Sequence, residues 1–323
     1  MAALWLTLAL LGQVEAQMPD RIYRLGILAT EEAAIETWRA ATLPELARLG
    51  FSERRNLFLD AGTSRPGGAR LGARPLLTTA HQLVAAKPDV LIGVGTLAIA
   101  ALQDATATVP IVMSLGPDDL AAHGFGTGLA RPIGNITGVI AVSAELDGKR
   151  FQLLKETSPK VRRIAAILAP DVQVNLNTMR NIAAEFDFEL VDARSVYSRD
   201  EYPAQFAALR RAGAEALMIG SAPLFSHDPV DLVRLAIAAG MPTICEWRGL
   251  VESGCLIGYG PSLSELRRRT AHYVAHLLRG AAPSELPIEG PTHFEFVINL
   301  KTAHALGITI PPTLLARADE VIE

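Results

Sequence analysis

Short apolar runs closed by Gly, Pro or Asp recur along the chain, and between them lie segments whose composition favours helix. The clearest phrase is Lys87-Pro88-Asp89-Val90-Leu91-Ile92-Gly93-Val94-Gly95-Thr96, followed by the small-residue segment Leu97-Ala98-Ile99-Ala100-Ala101-Leu102. A continuous apolar run behind Pro-Asp punctuation predicts a strand buried on both faces, then a tight turn and a helix over 98–105. The same reading places strands at 23–28, 56–60 and 109–114, and helices at 35–49, in spite of Pro44, and at 71–86. Strand and helix alternate as βαβαβαβ, which implies a doubly wound parallel sheet with right-handed crossovers.

A second series follows. Residues 129–139 carry Pro132, Gly134 and Gly138, which break the alternation, and the end of this stretch reads as a crossing between two lobes. Helices are expected at 144–157, 176–186 and 200–212, with strands at 163–168 and 189–192. The phrase Ala214-Glu215-Ala216-Leu217-Met218-Ile219-Gly220-Ser221-Ala222 then repeats the first one. Each phrase has a partner strand, 21 residues on from Asp89 to Pro110 and 27 residues on from Glu215 to Pro242. Two similar α/β lobes are the simplest explanation. The series ends at 256–260, where Gly258, Gly260 and Pro261 suggest a second crossing ahead of a long amphipathic helix over 262–279, a strand over 294–299 and a helical tail. The expected lobes are 22–139 with about 261–285, and 140–260 with about 290–323. The fold class is therefore α/β, two Rossmann-like lobes with parallel sheets joined by a multi-strand hinge.

A chain of 323 residues, 50% hydrophobic and 20% charged, has enough apolar surface for two ordinary cores. A net charge of -4 without any basic tract argues against a nucleic-acid partner. At the start, residues 2–12 form a short apolar run, and Val14-Glu15-Ala16 before Gln17 has small residues at the −3 and −1 positions of a signal-peptidase site. Residues 1–16 are thus expected to be a cleaved export leader; the run is too short to serve as a stable membrane span. Cys245 and Cys255 would join neighbouring strands of one lobe if they paired. Among the histidines only His272 and His276 have helical spacing, and no metal or cofactor is expected.

Ligands of doubly wound sheets sit at the carboxyl ends of the strands. In the first lobe those ends bring Thr30, Gly95, Thr96, Leu97, Ser114 and Asp118. The unpaired amides that open the helix after Gly95 offer an anion site, and Asp118 is a candidate for an ammonium group. In the second lobe the equivalent ends bring Ser221, Glu246, Trp247 and Tyr259; an aromatic there stacks on a planar ligand, or else is packing. No G-x-S-x-G elbow, H-E-x-x-H, P-loop or nucleophilic cysteine setting occurs, so capture of a small zwitterion is favoured over catalysis. The rival class is a nicotinamide-dependent oxidoreductase, because Gly93-Val94-Gly95-Thr96-Leu97-Ala98 fits G-x-G-x-x-A and Asp118 lies about twenty residues on. The effector half of a repressor would share the fold but needs a helix-turn-helix where the leader stands.

Along nearly the whole mature chain these residues resemble the substrate-binding proteins of bacterial ABC transporters, in the family whose characterised members bind aromatic amino acids. The resemblance rests on several segments: Leu129-Ala130-Arg131-Pro132-Ile133-Gly134-Asn135-Ile136-Thr137-Gly138, Leu146-Asp147-Gly148-Lys149-Arg150-Phe151-Gln152-Leu153-Leu154-Lys155-Glu156, Val297-Ile298-Asn299-Leu300-Lys301-Thr302-Ala303, and the ending Ile310-Pro311-Pro312-Thr313-Leu314-Leu315-Ala316-Arg317-Ala318-Asp319-Glu320. It implies a type I-like periplasmic binding protein, a monomer whose lobes close over an amino-acid-like solute, aromatic or branched, and deliver it to a membrane permease. Two departures fall at the cleft. Gly116-Pro117-Asp118 stands where the family usually has Gly-Asp-Pro, and Ala169-Pro170-Asp171, with Asn175 further on as a candidate contact, stands where it often has Asn-Pro. Export predicts a mature protein in the periplasm that begins at Gln17, which N-terminal sequencing of the fractionated protein checks; full-length protein retained in the cytoplasm would contradict it.

Overall fold

The computed structural model describes residues 21–63, 73–130, 132–141, 146–168, 176–196, 198–220, 225 and 230–323. The first sheet has the order β2-β1-β3-β4-β5, built from β1 (Tyr23–Ala29), β2 (Leu57–Thr63), β3 (Val90–Val94), β4 (Ile111–Gly116) and β5 (Ile136–Ile140). All its pairings are parallel. Helices α1 (Glu32–Arg48), α2 (Ala73–Ala85) and α3 (Thr96–Ala105) connect the first four strands, and Pro44 lies inside α1. Every residue of β3 is buried, as expected of a central strand covered on both faces, and every residue of the edge strand β5 is buried as well, its open side bonded to Glu289.

β5 corrects the sequence reading, which took the end of 129–139 for a crossing between lobes. The glycines that suggested a break instead let a strand approach a bulge. The register of β4 against β5 shifts between Met113 and Gly116, and Gly138 sits at φ +130°, where an added Cβ would stand 2.4 Å from the Met113 carbonyl oxygen. Only glycine combines that torsion with that approach.

The second sheet runs β12-β11-β10-β9-β8-β6-β7, from β6 (Arg163–Leu168), β7 (Glu189–Ser195), β8 (Ala216–Ile219), β9 (Thr243–Cys245), β10 (Ile257–Pro261), β11 (Phe294–Asn299) and β12 (Glu320–Ile322). Its pairings are parallel except that β11 runs antiparallel to β10. Its strands β7-β6-β8-β9-β10 repeat the order of the first sheet, as the recurring phrase in the sequence suggests. Helices α4 (Asp147–Thr157), α5 (Leu176–Glu185), α6 (Tyr202–Arg211), α7 (Val230–Ala238) and the short α8 (Arg248–Glu252) cover it. Apolar clusters lie on both faces of each sheet. Cys245 and Cys255 are free and buried, and both thiols donate to the Ile257 carbonyl, at 3.4 and 3.2 Å.

The chain passes between the sheets three times: after β5, from β10 into α9 (Leu263–Leu278), and along 286–293 into β11. α9 returns to the first sheet, where Leu266, Ala271 and Val274 share a core with Leu25, Trp38 and Val112. The crossings are tied to one another by backbone bonds from Ile140 N to Glu289 O at 2.9 Å, Glu289 N to Gly138 O at 3.0 Å and Ser262 N to His293 O at 3.1 Å. Arg269 of α9 also pairs with Glu289, holding its carboxyl below the usual range. Gly138→Ala is expected to cost about 3 kcal/mol or more through strain and overlap with Met113, read as a lowered melting temperature; an unchanged melting temperature would contradict the role given to this glycine.

Candidate functional site

In the first sheet the strand order reverses between β1 and β3, and Ala29 pairs with Val94 at that switch point. Thr30 therefore leaves one strand beside the point where Gly95, Thr96 and Leu97 leave the other. Open parallel sheets bind ligands in this crevice. Gly95 has φ +81° and ψ 163°, a region that only glycine occupies without strain, although a Cβ there would touch nothing within 4 Å. Gly93 serves packing: its Cβ would fall 2.9 Å from Ile99 Cα, so the bare backbone lets α3 lie against β3. Thr96 is the first residue of α3, with Gly95 as its cap, and the first bond of the ladder, Ile99 N to Gly95 O at 3.1 Å, leaves the amides of Thr96, Leu97 and Ala98 ahead of it.

Ser114 is buried. Its carbonyl accepts from Gly95 N at 3.1 Å and its hydroxyl accepts from Thr270 of α9 at 3.3 Å, so it holds the turn to the return helix. Leu115 beside it adopts φ +63°, and the chain then turns to the half-buried Asp118.

On the second sheet the arrangement centres on Arg150, only 2% exposed. Nη1 donates to Asp147 Oδ1 at 2.8 Å, Nε donates to the Tyr259 carbonyl at 2.9 Å, and Nη2 lies 3.6 Å from Glu246 Oε2. Asp147 and Glu246 are buried as well. Burial raises the Asp147 carboxyl above its usual range, Arg150 opposes that, and the charge of Asp118 adds to it. Asp118 follows β4 of the first sheet whereas Asp147 opens α4 on the second, so this small contribution comes from the other sheet. Glu246 fits because β10 has glycine at its next-to-last position: a Cβ on Gly260 would stand 2.3 Å from the Glu246 carbonyl oxygen and 2.7 Å from its Cγ.

Among the second-sheet candidates, Trp247 is buried in the core with Leu250 and Val251, and Tyr259 is half-buried with its ring stacked on Phe294, centroids 6.3 Å apart. Asn175 and Ser221 lie outside the described residues. Sequence reasoning missed Asp147 and Arg150. Their signal was spacing: they precede Phe151 and Leu154 on the buried stripe of α4, where charged residues are out of place unless paired. A hollow of about 310 Å³ near Ser262, Arg269 and His293 is lined by none of the candidates.

The sequence profile of the family described as ABC transporter substrate binding protein matches residues 67–322. The chain belongs to that family. It is 23% identical over 238 residues to the tyrosine-binding protein of Clostridioides difficile (strain R20291), a match that covers 71% of this chain and 66% of that protein, just under two thirds of its length. Among solved structures, a conserved domain protein from Vibrio cholerae O1 biovar El Tor superposes with a TM-score of 0.82 at 26% identity, covering 93% of this chain and 100% of the other. The ABC domain from Streptococcus pneumoniae in complex with L-Trp also gives 0.82, at 22% identity with the same coverage, which shows a shared fold. The expected two-lobed, type I-like binding-protein architecture is the one observed in this family member. Gly260→Ala is expected to push Glu246 away from Arg150 and lower stability by about 1–3 kcal/mol; thermal melting without change would mean that the close packing is not required.

Proposed function

We propose that this protein is the solute-binding component of an ABC import system, capturing a small amino-acid-like ligand, aromatic or branched, between two closing lobes and handing it to a membrane permease. Family membership supports the class of function. The observation that supports the site is the free start of α3 at the switch point of the first sheet, with Asp118 after β4 close enough to Asp147 of the second sheet to raise its carboxyl further. In this reading the ligand carboxylate meets the amides of Thr96, Leu97 and Ala98, its amino group meets Asp118, and its side chain extends toward Tyr259. The lobes are 22–139 with about 261–285, and 140–260 with about 290–323. No step of bond making is involved: a ligand that touches both lobes stabilises the closed state by its extra contacts there, and the permease reads the closed shape. The protein works as a monomer in the periplasm after loss of its leader. Among the described residues no helix is long and apolar enough to cross a membrane.

The named ligands of the relatives, tyrosine and tryptophan, are the first probes. The dinucleotide reading is less favoured, because Gly93 is taken up by packing against Ile99 and the fingerprint follows β3, the third strand in sequence. Titration calorimetry of residues 17–323 should detect L-tyrosine or L-tryptophan, and Asp118→Ala should weaken that binding about 10- to 100-fold, the worth of a hydrogen bond to a charged group. Response to a nicotinamide cofactor alone would overturn the proposal.

A further inference from the structure

Three arginines follow one another in α9. Arg268 and Arg269 are exposed, whereas Arg267 is half-buried on the face that also presents Thr270, Ala271 and Val274 to the core. A charged side chain on a buried stripe is out of place unless an opposite charge or an acceptor answers it. Among the described residues none does: the Arg267 side chain has no hydrogen bond and no ion pair, and burial lowers its guanidinium below the usual range with no neighbouring charge to offset it.

The helix sets where that side chain goes. Thr270 donates to the hydroxyl of Ser114, and Ser114 is in register with Val94 and, through it, with Ala29, the last residues of β3 and β1. At the other end of α9, Arg279 lies over Phe51, whose ring meets Tyr23 at the start of β1. α9 therefore runs from the ends of the strands back to their starts. Arg267 is one turn nearer the beginning of the helix than Thr270, about 4.5 Å further along its axis at the usual rise per residue. Long helical side chains lean toward the N-terminus as well, which carries the Arg267 side chain past the carboxyl ends of β3 and β4.

We propose that Arg267 is a ligand-binding residue, contributed to the cleft by α9, whose guanidinium takes the carboxylate of the captured solute together with the amides at the start of α3. This rests on the amino-acid reading given above and adds to it a charged partner for the carboxylate. The two sets of donors come from opposite faces of the first sheet: Ala98 and Ile99 of α3 pack with Leu91 and Ile111, and Ala271 and Val274 of α9 pack with Leu25 and Val112. Ser114 touches both, its carbonyl accepting from Gly95 N and its hydroxyl from Thr270. A carboxylate seated over the ends of β3 and β4 is thus reached from either side, and a planar guanidinium can donate to both of its oxygens.

A charge held without a partner costs the empty protein stability, so the two states respond to its removal with opposite signs. Ligand-free Arg267→Met, which keeps the length of the stem, is expected to melt about 3 °C above the parent; a variant that melts below it would mean that the guanidinium holds the fold, and would overturn the proposal. In titration calorimetry, Arg267→Met should bind L-tyrosine or L-tryptophan about 10- to 100-fold more weakly. The parent's preference for L-tyrosine over L-tyrosinamide, which lacks the carboxylate, should shrink by the same factor, with Arg267→Lys in between. Unchanged affinity, or an equal loss for the amino acid and its amide, would overturn the assignment. Arg267→Gln carries the comparison if Arg267→Met does not fold. Should neither amino acid bind the parent, the amino-acid reading falls and acetate decides on Arg267: replacing sodium chloride by an equal concentration of sodium acetate should raise the melting temperature of the parent more than that of Arg267→Met, and equal responses would overturn an anion-binding role.

Discussion

Three passages of chain between two sheets constrain everything else in this protein. The segment leaving β5, the one leading into α9 and residues 286–293 are tied together by backbone bonds that join Gly138 and Ile140 to Glu289 and Ser262 to His293. One crossing would leave the sheets free to swing in any direction; three bonded crossings confine their relative motion to bending about a common line. The third passage is further pinned to the first sheet, since Glu289 pairs with Arg269 and the Tyr273 hydroxyl donates to the Pro287 carbonyl.

Among the described residues, the candidates on the first sheet are the backbone amides at the start of α3 and the carboxylate of Asp118, and on the second sheet Asp147 and Glu246 lie close to the Arg150 guanidinium. Surface ion pairs elsewhere, such as Arg234 with Asp231, are well exposed and contribute little. The Arg150 cluster differs because its members are nearly out of water, where a missing partner costs far more than a present one contributes.

Most of the architecture was legible in the sequence because the strands are continuous apolar runs and the helices between them are long enough to show. What was hidden was short or locally irregular. β5 was read as a crossing because Gly134 and Gly138 look like breaks, yet Gly138 is there to clear the Met113 backbone. The five-residue α8 and three-residue β12 are too brief to carry a periodic signal. For the candidate site, position at a strand end nominates Thr30, Gly95, Thr96, Leu97, Ser114, Asp118, Glu246, Trp247 and Tyr259, but position does not give orientation. Trp247 turns into the core, and Ser114 turns to Thr270. Asp147 and Arg150 were passed over because their helix was read for its resemblance and not for the two charges on its buried stripe.

That stripe bears on how closure and ligand choice are connected. Asp118 and Asp147 are carboxylates carried by different sheets, and the charge of Asp118 adds to the burial that raises the Asp147 carboxyl. In the proposed function a zwitterion brings its ammonium toward Asp118 and its carboxylate toward the amides at the start of α3. A ligand of that kind that also reaches the second sheet gains contacts in the closed state that it lacks in the open one, and in this proposal that difference is what links ligand choice to closure.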